Sequence, residues 1–209
     1  MSSDLLSEGL SLLGLDGRGV EAEGLRRYIG ELERWNKRIG LVNATGEELL
    51  VKHILDSLAP LNVIRPMPHS RMADIGSGGG LPGIPLAICL PDAEFTLVER
   101  SGKKAGFLRD CCITLKLSDR VRVLECDVKD VKATFDIVVF RALGKLSECA
   151  EQLFRIAGSC GILAAYKGRR DVAEAEVASI RPLCSEVEIK KITVPFLEEE
   201  RHLVILKGV

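Results

Sequence analysis

The sequence has no apolar run of the about 18 residues that a membrane-spanning helix needs. Its first residues, M-S-S-D-L-L-S-E, also lack the basic and then apolar pattern of a secretory signal. Positive charge is not in excess, because 29 lysines and arginines stand against 30 acidic residues. This balance excludes a bulk polycation, so any contact with nucleic acid must come from a local basic patch. We expect a cytoplasmic protein with no membrane partner.

Cysteine pairs of the form C-x-x-C are absent, although the chain has seven cysteines. Most of them fall on apolar faces of predicted elements, which favours buried free thiols in a reducing compartment. We therefore predict no metal site. The phosphate-binding motif G-x-x-x-x-G-K-[ST] is absent too, as are internal repeats and low-complexity segments.

The first part of the chain has a helical pattern. Apolar residues recur there at spacings of three and four, as at Leu25, Ile29, Leu32 and Ile39. Thr45 and Glu48 have the spacing of a capping box at the start of a further helix. Three prolines follow, at positions 60, 66 and 68. We predict a helical segment over residues 1–65 that packs on a catalytic domain over residues 66–209.

From about residue 71, short apolar runs alternate with helical patterns. We predict strands at 72–75, 95–99, 121–125, 135–140 and 161–166, with helices between them. This alternation is typical of an α/β fold whose mostly parallel sheet is covered on both faces. Two further strands, around 186–194 and 202–207, have no helix between them, so they should pair antiparallel.

The stretch D-I-G-S-G-G-G-L-P-G-I-P at 74–85 follows the first predicted strand. Gly76, Gly78 and Gly80 give the form G-x-G-x-G, in which missing side chains let the backbone approach a ligand closely. Ligands of open α/β sheets bind at the carboxyl ends of the strands, where this loop lies. The dinucleotide pattern G-x-G-x-x-G would need glycine in place of Leu81, so a nicotinamide cofactor is less favoured.

This glycine loop resembles that of the class I S-adenosylmethionine-dependent methyltransferases, which have a Rossmann-like sheet. Glu99 ends the second predicted strand, where a carboxylate can accept both hydroxyls of a ribose. Asp127 follows the third, where such enzymes place a side chain near the adenine amino group. The resemblance implies S-adenosylmethionine as cofactor, in contact with Gly76 and Gly78. It also implies a mostly parallel, seven-stranded sheet with an antiparallel last strand.

Longer strings narrow the resemblance. They include V-K-H-I-L-D-S-L (51–58), D-I-G-S-G-G-G-L-P-G-I-P-L-A-I (74–88), G-K-K-A-G-F-L-R (102–109) and E-R-H-L-V-I-L-K (200–207). With R-W-N-K, F-R-A and Y-K-G, they stand in order over residues 34–207 and resemble the RsmG family, formerly called GidB. The resemblance implies transfer of a methyl group to N7 of one guanosine in the decoding-region loop of 16S ribosomal RNA.

The resemblance also implies cofactor contacts at Gly76, Leu81 and Arg141, and an adenine-side contact in the turn Asp127, Val128 and Lys129. The family usually has R-A-E or a similar triplet in that turn. A second departure is I-G-L-V-N-A at 39–44, where the family tends toward N-L-T. Arg141 has an independent argument, because a charge directly after a buried strand is costly without a partner.

Guanine N7 carries a free lone pair, so no base is needed to remove a proton before it attacks a methyl group. Catalysis should then consist mainly of positioning, and we assign no catalytic acid or base. His53 and Asp56 lie three residues apart on one predicted helix face and are candidate pocket residues. A purely structural hydrogen-bonded pair would explain their spacing equally well.

The expected partner is 16S ribosomal RNA or the small ribosomal subunit, bound by a monomer. Five cations near the expected site are candidates for phosphate contacts, namely Lys103, Lys104, Lys167, Arg169 and Arg170. Each is also explained as a solvated surface charge. Three alternatives stay open: a methyltransferase for another RNA site or a small molecule, a nicotinamide oxidoreductase, and a non-enzymatic RNA-binding factor that keeps the fold.

Overall fold

Helices occupy the first third of the chain. A computed structural model describes residues 2–209, with side chains from residue 4 onward. The helices in this part are α1 (Ser2–Leu12), α2 (Val20–Ile39), α3 (Gly46–Leu49), α4 (Asp56–Leu58) and α5 (Leu61–Ile64). A π-helical turn, Leu50–Leu55, joins α3 to α4 without a break. None of the helices within residues 2–209 is both long and apolar enough to cross a membrane.

The expected capping box at Thr45 does not form. Thr45 directly precedes α3, but its side chain makes no capping hydrogen bond. Gly46 has φ of +55°, whereas the first residue of a capped helix has helical backbone angles. The chain therefore enters α3 from a direction that does not suit a threonine cap.

Strands and helices alternate from residue 71, as predicted. The strands are β1 (Arg71–Ile75), β2 (Glu94–Val98), β3 (Val121–Leu124), β4 (Ile137–Arg141), β5 (Ile162–Lys167), β6 (Cys184–Ile192) and β7 (Arg201–Gly208). The helices between them are α6 (Gly83–Cys89), α7 (Gly102–Thr114), α8 (Leu146–Ala157) and α9 (Arg170–Ile180). The boundary between the predicted segments 1–65 and 66–209 falls between α5 and β1, but a division into two domains stays a prediction.

The seven strands form one sheet in the order β3-β2-β1-β4-β5-β7-β6. Strands β1 to β5 run parallel, and β7 lies antiparallel between β5 and β6. The expected antiparallel pairing of the last two strands is therefore confirmed. The carboxyl ends of β1 to β4 meet at one edge of the sheet, together with the start of β7.

Two hydrophobic cores cover the two faces of the sheet. On one face, the helices of the first third pack with α6 and α7 against side chains such as Phe95 and Ile137. On the other face, α8 and α9 pack against side chains such as Val138 and Leu163. Leu146, Ala150 and Leu153 are buried along one side of α8, as their spacing predicts. Neighbouring positions of one strand therefore serve different cores.

Candidate functional site

The loop after β1 has glycine where the backbone demands it. Gly76, Gly78 and Gly80 have φ of +71°, +56° and +83°, a region that side chains disfavour. A Cβ added at Gly76 would also lie 2.7 Å from Leu143 Cδ1, and one at Gly80 would lie 2.6 Å from Ile84 Cδ1. The loop can therefore follow this tight path only without side chains at these positions.

A buried carboxylate holds this loop against the following helix. Asp74 is fully buried at the end of β1, and its Oδ2 accepts a hydrogen bond from the N–H of Gly83 at 3.0 Å. Its Oδ1 has no partner among the described residues. Burial raises the pKa of Asp74 to about 7. Tyr28 of α2 donates to the carbonyl of Gly79, so the helical segment also fixes the loop.

A cavity of about 600 Å³ opens between this loop and the ends of the neighbouring strands. We call it the loop cavity; its lining includes Gly76, Glu99, Asp127, Val128 and Lys129. Its volume is in the range of about 300–1,000 Å³ that is usual for small-molecule sites. The cavity therefore lies where the glycine loop predicted a ligand.

Glu99 is the most constrained acid of the loop cavity. Its Oε2 accepts from the N–H of Gly78 at 2.9 Å, and its Oε1 accepts from the N–H of Ser101 at 2.8 Å. Each carboxylate oxygen has a second lone pair, so the group retains capacity for two more donors. Asp127 Oδ1 accepts from the N–H of Lys129 at 3.2 Å, which shapes the turn after β3.

The predicted cofactor residues are not all in the loop cavity. Gly78 does not line the loop cavity. It is connected to the cavity only through its hydrogen bond to Glu99, which does line it. Leu81 is buried in the core beneath the loop, with 5% of its surface exposed. Arg141 lines a second cavity instead.

The second cavity, of about 730 Å³, is lined by His53, Asp56, Arg141, Tyr166 and Arg201 among others. We call it the arginine cavity. Ala142 lines both cavities, so they adjoin at the loop after β4. Ala142 itself has φ of +54°, an uncommon conformation for a residue with a side chain. The arginine cavity brings together the two candidate pocket residues, His53 and Asp56, with the predicted Arg141.

Asp56 is the centre of this arrangement. Its Oδ2 accepts from Arg141 Nη1 and its Oδ1 from Arg201 Nε, both at 3.0 Å. Arg141 Nη2 lies 3.0 Å from His53 Nδ1. Because a guanidinium only donates, His53 must accept through Nδ1 and carry its proton on Nε2. Burial and the charge of Arg141 lower the pKa of His53 to about 4, so the ring is neutral at physiological pH.

The π-helical turn Leu50–Leu55 carries His53 and ends directly before Asp56. Such turns are rare and occur frequently at functional sites. The carbonyl of Lys52, in the same turn, accepts a further hydrogen bond from Arg141 at 3.3 Å. Arg141 is thus held by three groups of one short segment, which offsets the cost of its partial burial.

The chain is similar to known proteins over nearly its full length. A family model described as "GidB: rRNA small subunit methyltransferase G" matches residues 21–207. The ribosomal RNA small subunit methyltransferase G of Salmonella arizonae is 38% identical over 206 residues, covering 97% of each chain. That of Salmonella agona is 39% identical over 187 residues, 88% of this chain and 87% of its own. The chain belongs to this family. The resemblance predicted from the sequence strings is thereby confirmed.

Solved structures agree on the fold. A tRNA methyltransferase of Aquifex aeolicus has a TM-score of 0.60 at 14% identity, covering 74% of this chain and 68% of that one. PigF with SAH has a TM-score of 0.58 at 19% identity, covering 88% of this chain and 70% of that one. At these identities the likeness concerns the fold alone. The predicted class I methyltransferase fold is confirmed.

The five predicted phosphate-binding cations fall into two groups. Lys103 is exposed and Lys104 half-buried at the start of α7, and Lys104 lines the loop cavity. The other three lie between the last residue of β5 and the first residue of α9 and are engaged in ion pairs. These pairs are Lys167 with Glu176, Arg169 with Asp171, and Arg170 with Glu174.

Two charged residues of the site were not predicted from the sequence. Arg201 begins β7, and its place beside Asp56 depends on the insertion of β7 next to β5. The sequence feature that could have indicated Arg201 is its charge directly before an apolar strand, in the string E-R-H-L-V-I-L-K. Asp74 was part of the quoted glycine stretch, and its signal was an acid within a buried strand.

Proposed function

We propose that this protein transfers a methyl group from S-adenosylmethionine to N7 of a guanosine in 16S ribosomal RNA of the small ribosomal subunit. The observation that carries the proposal is family membership over residues 21–207. Two adjoining cavities support it, because a transfer enzyme must hold donor and acceptor side by side.

The loop cavity suits the methyl donor. Glu99 keeps free lone pairs at the end of β2, where ribose hydroxyls would donate to it. Gly76 offers backbone without a side chain, and the turn of Asp127, Val128 and Lys129 provides the adenine side. Leu81 shapes the loop from its buried position. When bound, the cofactor supplies an electrophilic methyl group.

The arginine cavity suits the target base. Its donors include Arg141, Arg201 and the Nε2–H of His53, and guanine presents the acceptor O6 beside N7. A single-stranded loop of RNA permits a base to be unstacked and placed there.

Neither Asp56 nor Nδ1 of His53 is free to act as a general base toward N7. Both oxygens of Asp56 accept from guanidinium groups, and His53 Nδ1 accepts from Arg141. Proton removal is not required, since neutral guanine already has a lone pair on N7. We therefore assign Asp56 and His53 the role of positioning Arg141, and the transfer itself is an in-line displacement.

The protein acts as a monomer in the cytoplasm in this proposal. Its seven cysteines are free thiols, four of them buried, which is consistent with a reducing compartment. The oligomeric state is checked by light scattering of the protein with and without 16S ribosomal RNA.

The test is to incubate the protein with tritiated S-adenosylmethionine and small ribosomal subunits, and then to map N7-methylguanosine by chemical cleavage of the RNA. We expect cleavage at one guanosine of 16S ribosomal RNA. Label in a metabolite extract but not in RNA would support a small-molecule methyltransferase instead. RNA binding without transfer, at saturating cofactor, would support a non-enzymatic factor.

A further inference from the structure

We propose that the phosphates around the target nucleotide bind a cationic rim formed by Arg100, Lys104, Lys129 and Lys145. They do not bind Lys167, Arg169 and Arg170. This inference rests on the proposed function, because it concerns the way in which the RNA lies across that site. In this arrangement the RNA backbone lies across the opening of the loop cavity.

The four residues of the cationic rim all line the loop cavity. They come from the end of β2, the start of α7, the turn after β3 and the residue before α8, so four separate elements bring them together. Arg100, Lys129 and Lys145 are exposed, and Lys104 is half-buried. Within residues 2–209, none of their side chains has an ion-pair or hydrogen-bond partner in the structure. Four unpaired cations around one opening form a strong local attraction for a polyanion.

Carboxylates at the same cavity offset part of this charge. Three line it, namely Glu99, Asp127 and Glu148. Glu99 is buried and accepts two backbone N–H groups, and Asp127 accepts one. Glu148 lies on the first turn of α8, beside Lys145. The cations therefore outnumber the acids by one, and the buried Glu99, which faces the backbone of the loop, is the least accessible of the three acids to a phosphate.

Lys167, Arg169 and Arg170, at the end of β5 and the start of α9, are differently placed. Lys167 lies 2.5 Å from Glu176 and is mostly buried, and Arg170 lies 2.8 Å from Glu174. A phosphate that approached them would also approach those carboxylates. Such neutralised cations contribute little to the release of counterions that drives phosphate binding.

The far side of the arginine cavity is acidic. Lys52, which lines that cavity, pairs with Glu48 at 3.5 Å and with Glu199 at 3.1 Å. Glu47 and Glu198 line the adjoining groove and are exposed. These acidic residues repel phosphates, whereas the cationic rim at the adjoining loop cavity attracts them. The flipped base enters the arginine cavity, and its flanking phosphates extend over the loop cavity.

The experiment measures binding of 16S ribosomal RNA to the full chain over a series of salt concentrations. In such series, the slope of log K against log salt falls by about 1 for each lost phosphate contact. We expect Lys104→Gln, Lys129→Gln and Lys145→Gln each to reduce the slope by about 1, and the triple variant by about 2–3. The double variant Arg169→Gln/Arg170→Gln should keep the wild-type slope.

Lys116→Gln is the matched control. Lys116 is an exposed cation in the loop before β3, at the opposite edge of the sheet from the loop cavity. Cofactor affinity of each variant is measured by calorimetry, so that a lost cofactor contact is separated from a lost phosphate contact. An unchanged slope in the triple variant, or a reduced slope in the Arg169 and Arg170 variant, would overturn the proposal. Binding slopes need no methyl transfer, so failure of the proposed function would be visible separately in the mapping of N7-methylguanosine.

Discussion

Glu99 has one observed role and one proposed role, and both depend on the same pair of carboxylate oxygens. One is structural, since the carboxylate joins the glycine loop at Gly78 to the start of α7 at Ser101. The other is the proposed binding of ribose hydroxyls. Both require an acceptor-only group, and among uncharged side chains of this shape none has two acceptor oxygens.

We expect Glu99→Gln to weaken S-adenosylmethionine binding by about 10-fold to about 100-fold. The glutamine amide has only one acceptor oxygen, and its NH₂ group would face a backbone N–H. Since a hydrogen bond to a charged group is worth about 1.5–3 kcal/mol, its loss corresponds to this decrease in affinity. Calorimetry with cofactor measures the effect. Glu94→Gln, at the exposed amino end of the same strand, is the control and should keep wild-type affinity. Equal affinity in both variants would remove Glu99 from the cofactor site.

Single residues were predictable where a strand end fixes their position. Glu99 and Asp127 follow apolar runs, and such runs end at the ligand-binding edge of a parallel sheet. Arg201 was not predictable, because its contact with Asp56 spans 145 residues and depends on the place of β7 in the sheet. The neutralisation of Arg170 by Glu174 was readable from the i to i+4 spacing in a helix.

At the scale of elements, periodicity predicted the strands to within about two residues, because burial on both faces selects continuous apolar runs. Helix ends were less predictable. Thr45 makes no cap, and α9, which begins at Arg170, has no side-chain cap either. The π-helical turn Leu50–Leu55 has no sequence signal, since it reflects packing of that segment against Arg141 and the core.

Two loops of the site are coupled by a close contact. Gly76, after β1, leaves just enough room for Leu143, after β4. We expect Gly76→Ala to lower the free energy of unfolding by about 1–3 kcal/mol, because the residue has positive φ and the new methyl group would displace Leu143. Leu143 also lines the loop cavity, so cofactor affinity should fall as well.

Gly30→Ala is the matched control for this substitution. Gly30 lies within α2, and an added Cβ there meets no atom within 4 Å. The variant should gain about 0.5–1 kcal/mol, since alanine loses less conformational entropy in a helix. Urea unfolding measures both variants. A stable Gly76→Ala protein with normal cofactor binding would show that the two loops move independently.

At the scale of the whole molecule, the helical segment is part of the main core. Leu25, Leu32 and Ile54 belong to the same cluster of buried side chains as Phe95 and Ile137 of the sheet. Composition could indicate helices before residue 65, but not that they complete one face of the sheet.

We expect the ionisation of Asp74 to contribute to the pH dependence of the free energy of unfolding. Its pKa is about 7 in the folded protein and about 4 when unfolded, so the folded state holds a proton that the unfolded state releases. The contribution of Asp74 to the free energy of unfolding is therefore fully present below about pH 4. It decreases as the pH rises from about 4 to about 7, by at most about 1.4 kcal/mol per pH unit. Urea unfolding of the wild type and of Asp74→Asn over this pH range measures this contribution as the difference between the two free energies of unfolding. Parallel stability curves would mean that Asp74 is ionised in the folded state.

The place of β7 in the sheet has a consequence for the order of synthesis. Strand β6 leaves the ribosome before β7, yet its neighbour in the described sheet is β7. Strand β6 can therefore pair only after β7 has emerged. Arg201, at the start of β7, likewise meets Asp56 only then. The contact between Arg201 and Asp56 in the arginine cavity thus forms only after all the other strands of the described sheet have been synthesised.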